Sequence, residues 1–271
     1  MGGQQSLNIT ILPYGHAIRR LEAAEAADFY MARCEESKSN TQARKNCIYA
    51  PYNYPIEYQQ RLHSALDTSR LPPILLHELG HIEIAVMYPS ADGGMPHTRP
   101  ANIICIPYSN IVPSNTTIMH ELWHIHQRRY PTRWLTALAQ VLEYRPWATA
   151  LPWATALPWA AALPPELESQ RRYNPDTITS PFWIWRDTWV PVPVFQNVTA
   201  QTLGSTRTWF YNVKTGRIAH ETPAEMTLPG LPASSSATYE HPYETAAYLL
   251  SDPTTRTSPL AERLIQVLAN N

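Results

Sequence analysis

The chain has 271 residues, 44% of them hydrophobic, enough to bury a sizeable core. Length alone allows one large domain or two small ones, and a single domain over 1–271 is expected. The 21 basic and 22 acidic residues leave a net charge of −1, which excludes the basic footprint of a nucleic-acid-binding protein and any polybasic surface.

Three cysteines, Cys34, Cys47 and Cys105, are too few and too scattered for a disulfide framework or a Cys-rich zinc module, so a reducing compartment is the simpler fit. Met1-Gly2-Gly3-Gln4-Gln5-Ser6 matches the pattern for myristate on Gly2, and equally a plain Gly-rich start. One acyl chain with no Lys/Arg cluster behind it gives only weak, reversible membrane association. No apolar secretory segment precedes the first charges, so an intracellular location is expected, and the sequons at Asn8, Asn115 and Asn197 read as chance.

Ile18, Leu21, Ala24, Ala27 and Phe29 recur at helical spacing over residues 17–36, and 56–67 reads as a second, shorter helix. Both are expected on one side of a sheet. Ile82, Ile84, Val86 and Tyr88 then alternate, Ala91-Asp92-Gly93-Gly94 offers a turn, and Ala101 to Pro107 is an apolar run, together predicting a β-hairpin. Ser114 and Asn115 offer capping oxygens ahead of an apolar-periodic stretch, which predicts a helix over about 115–129 that Pro131 breaks; a further helix is expected over 132–144.

Residues 146–163 repeat a six-residue unit built on Pro-Trp-Ala. A proline every sixth residue rules out a membrane-spanning helix, so the segment to about 165 reads as a low-complexity insertion with Trp147, Trp153 and Trp159 exposed or packed on the surface. A Trp-rich contact with a membrane or partner is the functional alternative. Phe182–Phe195 and Thr206–His220 have strand character, the latter a hairpin turning at Lys214-Thr215-Gly216, and helices are expected near 240–250 and 258–269.

The chemistry concentrates in His120-Glu121-Leu122-Trp123-His124. Histidines at i and i+4 on a helix share a face and can direct ring nitrogens at one zinc ion. Glu121, one residue on, can reach a water on that ion as a general base. The plain alternative is a chance string on a core helix, and the pattern does occur twice: His77-Glu78-Leu79-Gly80-His81 also fits. That copy follows Pro72-Pro73 and runs into a strand pattern, so its histidines are not expected to share a stable helix. Two glutamates compete as third ligand, Glu143 on the next helix and Glu244 in the first turn of a helix opened by Pro242. Their plain readings are a solvated helix residue and an acid favoured by a helix N-terminus. Gln127 and Tyr130 stand where the metzincin pattern requires Gly and His, which excludes that group. His126 falls roughly 200° from the ligand face, counting about 100° per residue, and reads as structural.

The runs His120-Glu121, His124-Ile125-His126-Gln127-Arg128, Tyr130-Pro131, Asn174-Pro175-Asp176 and His241-Pro242-Tyr243-Glu244 with Ala247, preceded by Gly94-Met95-Pro96-His97-Thr98-Arg99, together resemble the uncharacterised zincin-like peptidases encoded by large DNA viruses of algae and protists. The resemblance runs from about residue 80 to 250 and skips the repeat. It implies an α+β zincin-like fold, with a small mixed or antiparallel sheet over an active-site helix. It also implies His120, His124 and Glu244 as zinc ligands, Glu244 in preference to Glu143, Glu121 as base, and a peptide or protein substrate. Tyr248 stands where thermolysin-like enzymes carry an Asp after the ligand glutamate, so support for His120 must come from elsewhere. Tyr243, Tyr211 and His97 are possible oxyanion donors that the sequence does not rank. The rival reading is a non-catalytic, virion- or membrane-associated structural protein that keeps the fold.

Overall fold

The computed structural model describes residues 7–147, 163–197, 201–231 and 237–270. Gly2 and nearly all of the hexapeptide repeat lie outside them.

In chain order come β1 (Asn8–Ile11), α1 (Tyr14–Asp28), α2 (Tyr30–Glu36), α3 (Lys38–Arg44), α4 (Ile56–Ala65), α5 (Pro73–Glu78), β2 (His81–Met87), β3 (His97–Arg99) and β4 (Ile103–Pro107). Then follow α6 (Asn115–Arg129), α7 (Pro131–Val141), β5 (Tyr144–Pro146), α8 (Pro165–Gln170), β6 (Trp183–Trp185), β7 (Trp189–Phe195), β8 (Thr206–Asn212), β9 (Ile218–Ala219), α9 (Pro242–Ser251) and α10 (Pro259–Asn270). The class is α+β.

Where one small sheet was expected, the strands form two. The first has order β1-β2-β4-β3, the second β5-β6-β7-β8-β9. The expected hairpin over 82–107 is not there: β2 runs parallel to β4 and to β1, and β3 pairs antiparallel with β4 at the edge. A turn of 3₁₀ helix at Ala91–Gly94, with Asp92 and Gly93 at positive φ, replaces the tight two-strand turn. Alternation in a sequence says which residues share a face, not which strand lies alongside; that is why the pairing was misread.

The first sheet is covered on both faces, as parallel strands require. Ile82, Ile84, Val86, Ile104 and Ile106 face α4 and α6, while Ala85, Met87, Ile103 and Cys105 face Ala17, Leu21 and Ala24 of α1. The two early helices therefore pack on opposite sides, not on one. The predicted 17–36 helix is also broken, because Phe29 takes a left-handed conformation (φ 55°) that ends α1 and starts α2.

Helix α6 forms as its sequence dictates. The Ser114 hydroxyl accepts the Thr117 amide at 3.2 Å, satisfying one of the free N–H groups of the first turn. Ile118, Met119, Leu122, Trp123 and Ile125 join the main core, which continues into α7, α9 and α10. The middle of the helix, from Ile118 to Gln127, is buried on nearly every face, polar residues included, because it lies between the first sheet and α9, with α5 and α7 alongside. Trp147, expected at the surface, is buried in the core of the second sheet against Phe182 and Tyr211.

Candidate metal centre

His120 and His124 leave α6 on one face, one turn apart, and their Nε2 atoms lie 3.0 Å from each other. Glu244, brought in by the first turn of α9 after Pro242, places Oε2 3.2 Å from His120 Nε2 and 3.4 Å from His124 Nε2. The three donor atoms lie within 4.8 Å of one another, and this is the only such cluster among the described residues. His124 is 1% exposed and Glu244 6%.

Two of the three ligand candidates, His124 and Glu244, are held from behind by side-chain partners. His124 Nδ1 lies 2.7 Å from Gln127 Oε1, which can only accept, so Nδ1 carries a hydrogen and Nε2 is the nitrogen turned into the cluster, where a cation would displace its proton. Gln127 Nε2 donates in turn to the Tyr243 carbonyl at 2.9 Å, which fixes the amide's orientation. Asn174 Nδ2 donates to Glu244 Oε1 at 2.9 Å and to Glu240 Oε1 at 2.5 Å. The loop carrying Asn174 is tied to β7 by Arg172 N donating to the Pro193 carbonyl at 2.8 Å. Arg172 then spans Glu240 and Asp92, and Asp92 also receives Arg44 and the Tyr30 hydroxyl.

Glu121 is 4% exposed, and its buried Oε2 has no hydrogen-bond partner. Burial, then the Asp176 carboxylate, pushes its carboxyl well above the usual carboxylate range, with His124 opposing. Burial works against a charged His124, yet Glu244 and then Asp176 hold the imidazole up at about 10. Burial likewise opposes a charged Glu244, but His124 and His120 bring its carboxyl well below the ordinary range. Buried Glu121 and Glu244, with half-buried Asp176, beside two imidazoles make a site that favours positive charge. A lone carboxylate oxygen and converging lone pairs fit a divalent cation with an attached water, and N/O donors of this kind suit zinc.

His120, Glu121 and Glu244 line a cleft of about 300 Å³ together with Asn174, Asp176, Glu240 and Tyr248. Asp176 Oδ1 accepts both the amide and the hydroxyl of Thr98 on β3, at 2.6 and 2.7 Å.

Glu143 is nowhere near the cluster: it follows α7 at φ 60° and accepts Arg186 Nε at 2.6 Å. The first histidine pair splits across two elements, His77 on α5 and His81 on β2, both exposed. Glu78 between them serves α6 instead, accepting from His126 Nε2 at 3.1 Å and Arg133 at 2.6 Å, while His126 Nδ1 accepts the Trp134 indole at 2.9 Å. Sequence reasoning gave no role to Gln127, Asn174 or Glu240. The i+3 spacing of Gln127 from His124 was a usable signal, and Asn174 stood in the Asn174-Pro175-Asp176 run of the resemblance without a role attached; for Glu240 there was none.

No protein-family model, curated protein or solved structure matches the chain. What the fold and side chains define is an α+β protein with a largely buried His-His-Glu cluster, and beside it in a cleft a glutamate, Glu121, whose buried Oε2 has no hydrogen-bond partner.

Proposed function

We propose that the protein is a zincin-like metallopeptidase that hydrolyses peptide bonds with zinc-activated water. The observation that carries this is the convergence of His120 Nε2, His124 Nε2 and the Glu244 carboxylate beside the unpartnered Glu121 carboxylate. His120, His124 and Glu244 would hold the ion. When bound, zinc supplies acidification of water and polarisation of the scissile carbonyl. Glu121 takes the water's proton as the water oxygen bonds to the carbonyl carbon and the carbonyl π pair moves onto oxygen. It then returns the proton to the amine as the C–N bond breaks. A cation beside Glu121 offsets part of the burial that raises its carboxyl, bringing it toward the range useful at neutral pH.

A structural zinc protein would need a closed shell of four protein donors. Three donors, two of them lining a cleft, favour the enzyme. Association with a virion or membrane through Gly2 is compatible with this reading; no helix among the described residues is long and apolar enough to cross a membrane.

Metal analysis and assay against a mixed peptide library test the proposal. Glu121→Gln is expected to keep one zinc per chain and lose turnover, and His124→Ala to lose the zinc. Undiminished hydrolysis by Glu121→Gln would remove the mechanism.

A further inference from the structure

We propose that Tyr248 is the hydrogen-bond donor to the charge that develops on the scissile carbonyl oxygen, an assignment that rests on the hydrolase reading above. Tyr248 lies one turn after Glu244 on α9, so the two residues share a helix face. Helical side chains lean toward the N-terminus, which carries the phenol back over the turn holding Glu244. Its ring meets His120 edge-on, with centroids 4.6 Å apart and planes at 63°, and it lines the same cleft as His120, Glu121 and Glu244. Among the described residues its hydroxyl has no hydrogen-bond partner.

The donors that the sequence offered are committed elsewhere. His97 gives its Nδ1 hydrogen to the Met95 carbonyl at 3.0 Å, and its Nε2 accepts the Tyr49 hydroxyl at 2.7 Å. The Tyr243 ring packs on Trp134 and Trp183 and does not line the cleft. Tyr211 lies against Trp147 in the second sheet. Arg172 also lines the cleft, but its terminal nitrogens hold Asp92 and Glu240. A free phenol beside a ligand imidazole gains most when the carbonyl oxygen becomes an anion, which is the differential binding that catalysis needs.

Tyr248→Phe keeps the ring on His120 and removes only the hydroxyl. Zinc content and thermal stability are expected to stay at wild-type values. Calorimetric binding of a phosphinic Phe-Ala peptide, a tetrahedral anion, to the zinc-loaded protein should weaken by roughly 10²-fold to 10³-fold, and kcat should fall by a similar factor with KM little changed. Equal phosphinic binding by wild type and Tyr248→Phe overturns the assignment and leaves the hydrolase reading standing. A zinc-loaded wild type that neither binds the phosphinic peptide nor cleaves the library overturns the hydrolase reading and the assignment together.

Discussion

The Gln127 carboxamide oxygen lies 2.7 Å from His124 Nδ1, and that contact decides which imidazole nitrogen is free to bind a metal. Gln127→Ala leaves the His124 ring free to change tautomer or rotate. Zinc affinity should fall by about 10-fold to 100-fold in chelator competition, the usual range for losing a ligand's supporting partner. Gln127→Glu, which keeps an acceptor for Nδ1, should recover most of it.

Asn174 links the candidate ligand Glu244 to Glu240, and its removal leaves two buried carboxylates without a shared donor. Asn174→Ala is expected to cost about 1–3 kcal/mol in urea unfolding of the metal-free protein. The zinc-loaded protein should lose less, because the cation takes over part of the missing compensation.

The choice between the two glutamates is open to direct measurement. Glu244→Gln should lower zinc affinity at least about a hundredfold, because a charged ligand becomes a neutral one. Glu143→Gln should change it by less than about twofold, since Glu143 holds only Arg186 on an exposed rim.

Glu78 buttresses α6 through His126 and α7 through Arg133. Glu78→Ala should therefore destabilise the protein by about 1–3 kcal/mol in urea unfolding while its folded form still takes up one zinc. His77→Ala with His81→Ala, both at exposed positions, should alter neither stability nor zinc content.

Asp92 gives an acid limb to stability. Burial raises its carboxyl, but Arg44 and Arg172 outweigh burial and hold it at about 2, below the ordinary 3.8. A carboxyl depressed in the folded state stabilises it fully above pH 3.8, and that contribution is lost as pH falls toward 2. The difference corresponds to about 2 kcal/mol, to be read from urea unfolding between pH 5 and 2. A flat stability profile across that window would contradict the ion network.

Much of the local structure was legible because its causes are local. Ser114 as cap, the apolar period after it and Pro131 place α6 at Asn115–Arg129 almost as expected, and Pro242 marks the start of α9. The differences concern strand partners and one backbone conformation. Residues 82–107 alternate as a hairpin would, yet the strands run parallel with β3 outside them. Phe29 at φ 55° breaks a helix that its periodicity favoured, since apolar spacing carries no information about a single left-handed residue.

By itself the sequence determined that two imidazoles would stand one turn apart on an apolar helix with a glutamate beside them, because helix geometry links neighbours in the chain. Only the tertiary structure decided that Glu244, 124 residues beyond His120, completes the cluster while Glu143 turns out to Arg186. The physical reason is that such contacts depend on how α6 and α9 pack against a shared core, and packing couples residues through space without regard to their separation along the chain.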